Sequence, residues 1–245
     1  MNKSFLKKKI YLFFFGKNQI NKIDKFHFLT YQEKKNSFFI KRNSNFILSN
    51  YCKKITSIPK LDLNKKKINF CYLGRLDKIK NIEYQLLIVR YLFEQKIGCV
   101  LNIIGPDFGE KKNLLNLVNK FKINNQVNFI KPIYNKRKYS WLKYSDFVLL
   151  TSKYECNSIL ALETMASGGL LLTNKFTNLQ HLKKFGAIEI LNNNIKSDCN
   201  KILNFYHNKN KLGSFKAKAL EYTSKYNSQF YSIKISNFYS QLMQI

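Results

Sequence analysis

Glu155 and Glu163 stand eight positions apart in the stretch TSKYECNSILALETMASG, residues 151–168. The chain holds only 14 acidic residues against 43 Lys and Arg, so two carboxylates at one strand-to-helix junction ask for a chemical reason. Carboxylates accept hydrogen bonds from hydroxyls of a sugar or a ribose. Asn157 and Ser158 between them are good N-cap residues. The helix they begin would offer unpaired N–H groups and a positive dipole end to a diphosphate. Two further loops carry candidates. Gly74, Arg75, Leu76, Lys80 and Asn81 follow the apolar run at 69–73; Gly74 lets the backbone turn close to a ligand, and two cations five positions apart can converge on one anion. The loop Gly105, Pro106, Asp107, Phe108, Gly109 follows the run at 101–104, and serves equally to admit a ring or phosphate or to make a plain turn. Taken singly, each feature also has an ordinary structural reading as solvated cations, a loop acid or a surface helix residue.

The elements that must position these loops are read from periodicity. Apolar runs at 68–73, 99–104, 127–130, 147–150, 169–173 and 187–191 predict buried strands. Amphipathic segments at 82–95, 110–121, 136–144, 158–166, 179–184 and 195–206 predict helices between them. Such alternation gives right-handed crossovers and a doubly wound, parallel α/β sheet whose ligands bind at the strand carboxyl ends. Residues 1–66 are less regular. They suggest short strands at 10–15, 26–30 and 45–48, a helical piece near 32–40 and a lysine-rich linker at 60–67. The division expected is a short amino-terminal remnant and linker, 1–66, a Rossmann-like ligand-binding domain, 67–225, and a carboxyl-terminal helix, 226–245, packing back toward the amino-terminal segment. Helices are expected at 215–224 and 227–243, the second with Phe230, Ile233, Ile235, Phe238, Tyr239 and Leu242 on one face.

Composition excludes several classes. The net charge of +29 would by itself suggest nucleic acid or an anionic membrane. The charge is nearly all Lys, arriving with Asn, Ile, Phe and Tyr as in an AT-rich genome, and Arg occurs only as Arg42, Arg75, Arg90 and Arg137. Nucleic-acid readers favour Arg, so no specific nucleic-acid partner is expected, although a basic surface could hold the protein near anionic lipid. Cys52, Cys71, Cys99, Cys156 and Cys199 are widely spaced without a CxxC pair, which indicates neither a disulfide framework nor a zinc site and fits the cytoplasm or an organelle stroma. No apolar run approaches the ~20 residues of a membrane span.

In order and spacing the three loops resemble the carboxyl-terminal half of the GT-B retaining glycosyltransferases of family 4, the group 1 glycosyl transferases. GRLDKIKN at 74–81 resembles the family's GRL-x-x-x-K-G loop. LNIIGPDFGEKKNLL at 101–115, VNFIKPI at 127–133 and YSDFVLLTSKYE at 144–155 follow in the family's order, Glu155 and Glu163 match its E-x7-E motif, and LETMASG at 162–168 is similar to its LEAMASG. The resemblance covers roughly residues 45–245.

It implies a GT-B donor domain that transfers a hexose from a nucleotide-diphosphate sugar to a glycan or lipid acceptor with retention. Arg75 and Lys80 would hold the diphosphate and stabilise the leaving phosphate, and Glu155 would position the sugar. Gly74, Asn157, Ser158 and Ile159 would lie along the donor, and Glu163 would bind the ribose. No cofactor and no metal are expected. Departures are Asn81 and Lys131 where the family often has Gly, Cys156-Asn157-Ser158 in place of Gly-Phe-Gly, and Gly169-Leu170 in place of x-Pro. The family's acceptor-side glycine loop and histidine have no match, which implies a strongly shortened amino-terminal domain. His27, His181 and His207 are read as structural. Two alternatives stay open: a catalytically lapsed or auxiliary nucleotide-sugar-binding module that works with a separate amino-terminal-domain subunit, and, on charge alone, a basic nucleic-acid-binding protein.

Overall fold

The structure is a computed structural model, and it describes residues 10–16, 19–20, 22–23, 25–37, 45–51 and 55–243. They fall into two units, one formed by the residues up to Ser49 with those from Phe238 onward, the other by Asn50–Asn237.

In the first unit the expected strand at 10–15 is helical, with a π-helical turn at Leu12–Gly16. Its aromatic run favours strand on propensity alone, but no described strand pairs with it, and a helical turn satisfies its backbone groups locally. β1 (Phe26–Phe28) and β2 (Asn45–Ile47) pair in parallel, Phe26 opposite Asn45. Between them α1 (Tyr31–Asn36) is capped by the Thr30 side chain, which accepts from the Glu33 N–H; part of the helix expected at 32–40 lies outside the described residues. Phe46 stacks on Phe238, ring centroids 4.1 Å apart.

The second unit carries the sheet. β3 (Ile68–Leu73), β4 (Cys99–Ile104), β5 (Val127–Ile130), β6 (Phe147–Leu150), β7 (Leu171–Asn174) and β8 (Ile188–Leu191) form six parallel strands in the order β5-β4-β3-β6-β7-β8. The helices are α2 (Ile82–Glu94), α3 (Lys111–Lys120), α4 (Arg137–Tyr144), α5 (Ile159–Ala166), α6 (Gln180–Lys183), α7 (Ile195–His207) and α8 (Lys209–Lys225); α9 (Ser228–Met243) follows. This is the doubly wound parallel α/β fold expected. Strands buried on both faces read as unbroken apolar runs, and alternation assigns their side chains to two cores. Ile68, Phe70, Tyr72, Phe147, Leu149 and Leu172 pack with Leu86, Val89, Leu114 and Ile202 on one face. Cys71, Val148, Leu150, Leu171 and Ile188 pack with Leu142, Met165 and Ala219 on the other.

Two details differ from expectation. The helix expected from residue 215 begins at Lys209, where the Asn208 side chain accepts from the Lys211 N–H. In α9, Phe230 and Phe238 of the expected apolar stripe are half-buried while Ile233, Ile235 and Tyr239 are exposed, and Tyr231, which lies outside that stripe, is buried. The strand order reverses between β3 and β6, and the loops that follow those two strands therefore meet at the topological switch point, where open α/β sheets bind ligands.

Candidate functional site

Gly74, Arg75 and Leu76 leave β3 laced to the loop after β4. Gly74 N donates to Ile104 O at 2.9 Å, Leu76 N to Pro106 O at 2.9 Å and Phe108 N to Leu76 O at 3.0 Å. Gly105 is required at the crossing: it has φ +154, and a Cβ there would stand 1.8 Å from Gly74 O. Asp107 accepts from the N–H groups of Gly109, Glu110 and Lys111 at 2.9–3.1 Å. Those bonds, Lys111 first, hold its carboxyl below the usual range. The Arg75 guanidinium lies over the Phe108 ring, 4.9 Å from the centroid. Arg75 is exposed and no carboxylate pairs with it among the described residues. Beneath it, the Tyr72 hydroxyl donates to Arg75 O at 2.6 Å. Burial, then the charges of Glu155 and Asp77, raise the Tyr72 pKa, so this donor keeps its proton.

The first loop then turns through a short 3-10 segment, Lys78–Lys80, capped by Asp77, into Asn81. Asn81 has φ 51 and ψ 47, the left-handed conformation that Gly adopts freely and that Asn tolerates better than most side chains. Its Nδ2 donates to Thr151 O at 3.2 Å. The Thr151 hydroxyl donates to Asn81 O at 3.0 Å and accepts from Gln85 Nε2 at 2.9 Å, and Lys153 N donates to Ile79 O at 2.8 Å. The loops after β3 and β6 thus form one hydrogen-bonded body.

That body brings Lys80 to Glu155. Lys80 Nζ lies 2.7 Å from Glu155 Oε1, with the side chains 20% and 15% exposed. Ser152, fully buried, donates its hydroxyl to the same oxygen at 2.8 Å. The loop after β7 closes the frame: Asn178 Nδ2 donates to Glu155 O at 2.6 Å, and Asn174 Nδ2 to Thr151 O at 2.8 Å and Ser152 O at 3.2 Å. Ser158 caps α5, its side chain accepting from the Ala161 N–H, and is buried. Ile159 is the first residue of that helix and is exposed, and the N–H groups of a first turn have no intrahelical acceptors. Asn157 O accepts from Asn50 Nδ2 at 3.3 Å. Glu163, one turn further along α5, is held by Lys138 of α4, Nζ to Oε1 2.6 Å.

Sequence reasoning named Gly74, Arg75, Lys80, Glu155, Asn157, Ser158, Ile159 and Glu163. The expectation that Arg75 and Lys80 can converge on one anion concerns a bound ligand; in the structure Arg75 lies on Phe108 and Lys80 on Glu155. Sequence reasoning missed Lys138, Ser152, Asn174 and Asn178. Lys138 is one of many lysines, and the asparagines act through fold contacts that no local spacing reveals. Asn178, with φ 57, carried only the weak signal of an Asn at a turn. Among the described residues no group of three or more His, Cys, Asp or Glu could hold a metal ion.

Residues 53–221 match the family model described as glycosyl transferases group 1. The chain belongs to that family. No curated protein matches this group 1 glycosyl transferase, but many solved structures do. Sucrose-phosphate synthase from Thermosynechococcus elongatus superposes with a TM-score of 0.80 at 18% identity, covering 94% of this chain and 61% of that one. A mutant of S. aureus TarM in complex with fondaparinux, α-GlcNAc-glycerol and UDP gives 0.76 at 20% identity, over 95% and 46%. The pneumococcal O-GlcNAc transferase GtfA in complex with UDP and GlcNAc gives 0.74 at 14%, over 95% and 48%. These likenesses show the GT-B, Rossmann-like fold. The group 1 glycosyl transferase chain spans between 46% and 61% of the length of these three structures.

Proposed function

We propose that residues 67–225 bind a nucleotide-diphosphate sugar and transfer its hexose to an acceptor hydroxyl with retention of configuration. The observation that carries this reading is the placing of two carboxylates, Glu155 and Glu163, each gripped by a lysine, on either side of the amino-terminal end of α5 at the switch point of the sheet.

The diphosphate lies against the first turn of α5, at Ser158 and Ile159, with Gly74 giving it room and Arg75 swinging from the Phe108 ring to meet it. Glu163 accepts from the ribose hydroxyls and Glu155 from the hexose hydroxyls. Transfer breaks the bond between the anomeric carbon and the terminal phosphate oxygen, so negative charge grows on the departing phosphate. Arg75, Lys80 and the helix end stabilise that charge; the helix end is fixed in place before the reaction, and Arg75 is set when the diphosphate binds. The acceptor hydroxyl supplies the new bond to the anomeric carbon, and its proton leaves to the departing phosphate or to solvent. In this reading the two cations and the helix dipole supply the positive charge, and no metal is required. TarM and GtfA were each solved with UDP, which makes uridine nucleotides the first to try.

Isothermal titration with UDP, GDP and ADP sugars tests the reading. Binding of one of them, weakened about tenfold or more by Arg75→Ala and by Glu163→Ala, is expected. No binding, or unchanged affinity in both variants, overturns it.

A further inference from the structure

We infer that Lys138 is a specificity-determining positioning residue, and that recognition of the ribose hydroxyls by Glu163 depends on the Lys138–Glu163 ion pair. The inference rests on the donor-site reading above. Its observations are separate from the sequence motifs, since Lys138 belongs to none of them.

The two side chains are 24% and 14% exposed, and Nζ stands 2.6 Å from Oε1. Neither partner has a free-swinging base. Lys138 lies in the first turn of α4, and just before that helix Asn135 Oδ1 accepts from Arg137 N at 3.1 Å. Two residues on, the Ser140 hydroxyl donates to Pro59 O at 2.7 Å. The ammonium also lies over the Tyr139 ring, 5.0 Å from the centroid. Glu163 sits on α5, whose end is fixed by Ser167 Oγ and Ser167 N, both donating to Glu163 O. Burial pushes the Lys138 pKa down, but Glu163 and Tyr139 together outweigh it and the net shift is upward, so the lysine is a fixed cation.

A carboxylate has about four acceptor positions on two oxygens. Lys138 takes one on Oε1 and fixes the plane of the group, which leaves Oε2 as a directed acceptor for a hydroxyl. Without the lysine, a carboxylate that is largely removed from water would turn toward solvent, and the bond to a neutral hydroxyl would have to bring it back. The pair therefore prepays the orientation of the ribose acceptor. A plain strut between α4 and α5 would instead affect stability and leave ligand preference untouched.

The test uses the full chain and the tightest-binding of UDP, GDP and ADP, titrated beside its 2′,3′-dideoxy analogue into wild type, Lys138→Met, Lys138→Arg and Glu163→Gln, each shown folded by thermal melting. Wild type is expected to prefer the ribonucleotide by about tenfold or more. In Lys138→Met and Glu163→Gln the preference is expected to fall within about threefold, with affinity for the dideoxy ligand unchanged, and Lys138→Arg is expected to restore most of it. If Lys138→Met keeps the wild-type preference while Glu163→Gln loses it, the inference fails and the donor site stands. If wild type binds none of the three nucleotides, or binds without preference for the ribose, the inference falls, in the first case together with the donor-site reading.

Discussion

The Lys80 ammonium lies 2.7 Å from Glu155 across 75 residues of chain, and the carboxylate oxygen that receives it also accepts from Ser152. Both charges are less than a third exposed, so the pair stands between the exposed case, where the gain is small, and the buried case, where losing one partner is costly. Lys80→Met and Glu155→Gln are each expected to cost about 1–2 kcal/mol. The double variant Lys80→Met/Glu155→Gln is expected to recover part of that, because no charge is left uncompensated. Urea unfolding of the two single variants and the double completes the cycle; additive losses would mean that the charges do not sense each other.

Asn81 supplies a backbone test. Its left-handed conformation costs a residue with an ordinary Cβ about 1–2 kcal/mol. Asn81→Gly is expected to stay within about 1 kcal/mol of wild type, and Asn81→Ala to lose about 2 kcal/mol through strain and the missing bond to Thr151 O. Equal denaturation midpoints for the two variants would contradict the geometry.

Much of the fold was legible because both faces of each strand are buried, so Ile68–Leu73 and Phe147–Leu150 read as continuous apolar runs. Residues 10–15 misled for the same reason: an aromatic run reads as strand, but a strand needs a neighbour to pair with. The start of α8 was hidden by a Lys-Asn-Lys turn and Gly213, which lower local helix propensity. At the site, E-x7-E spacing located both carboxylates. The lysines that grip them come from α4 and from the loop after β3, and in a chain so rich in lysine only the fold distinguishes Lys138 from its neighbours.

Glycine substitutions are expected to have opposite signs. A Cβ on Gly169 would stand 2.2 Å from Leu142 O, backbone that cannot yield, so Gly169→Ala is expected to lose about 3 kcal/mol or more. Gly213, inside α8, meets nothing within 4 Å, and Gly213→Ala is expected to gain about 0.5–1 kcal/mol. Melting temperatures moving in the same direction would refute the contrast.

Asp146 gives a pH dependence with a defined sign. Burial raises its pKa, more than the bonds from Asn69 lower it. A carboxyl raised in the folded state contributes stability below its unfolded value, about pH 3.9, and loses that contribution as pH rises through the raised value. Asp146→Asn keeps an acceptor for the Asn69 N–H, which reaches Asp146 at 2.8 Å. The stability difference, variant minus wild type, is expected to grow as pH rises from about 4; urea midpoints for both proteins across that range would show a flat difference if Asp146 were unperturbed.

Thiol chemistry reports on the site. Burial pushes the Cys71 and Cys199 thiols up to about 12 and the Cys99 thiol up to about 11, so all three are expected to resist iodoacetamide at pH 8 while the protein is folded. Cys156 is half-buried between Glu155 and Asn157. Its alkylation, followed by mass spectrometry, is expected to slow when a bound nucleotide covers the start of α5; an unchanged rate under saturating nucleotide would argue against that placement.

In the proposed donor site Glu155 and Glu163 are the sugar and ribose ends, with the diphosphate at the α5 amino terminus between them. A crystal structure with the tightest-binding nucleotide sugar measures this directly. Ribose hydroxyls are expected on Glu163 beside Lys138, phosphate oxygens at Ser158, Ile159 and Arg75, and hexose hydroxyls on Glu155. A nucleotide seated elsewhere, with the Lys80–Glu155 and Lys138–Glu163 pairs untouched by ligand, would contradict that placement.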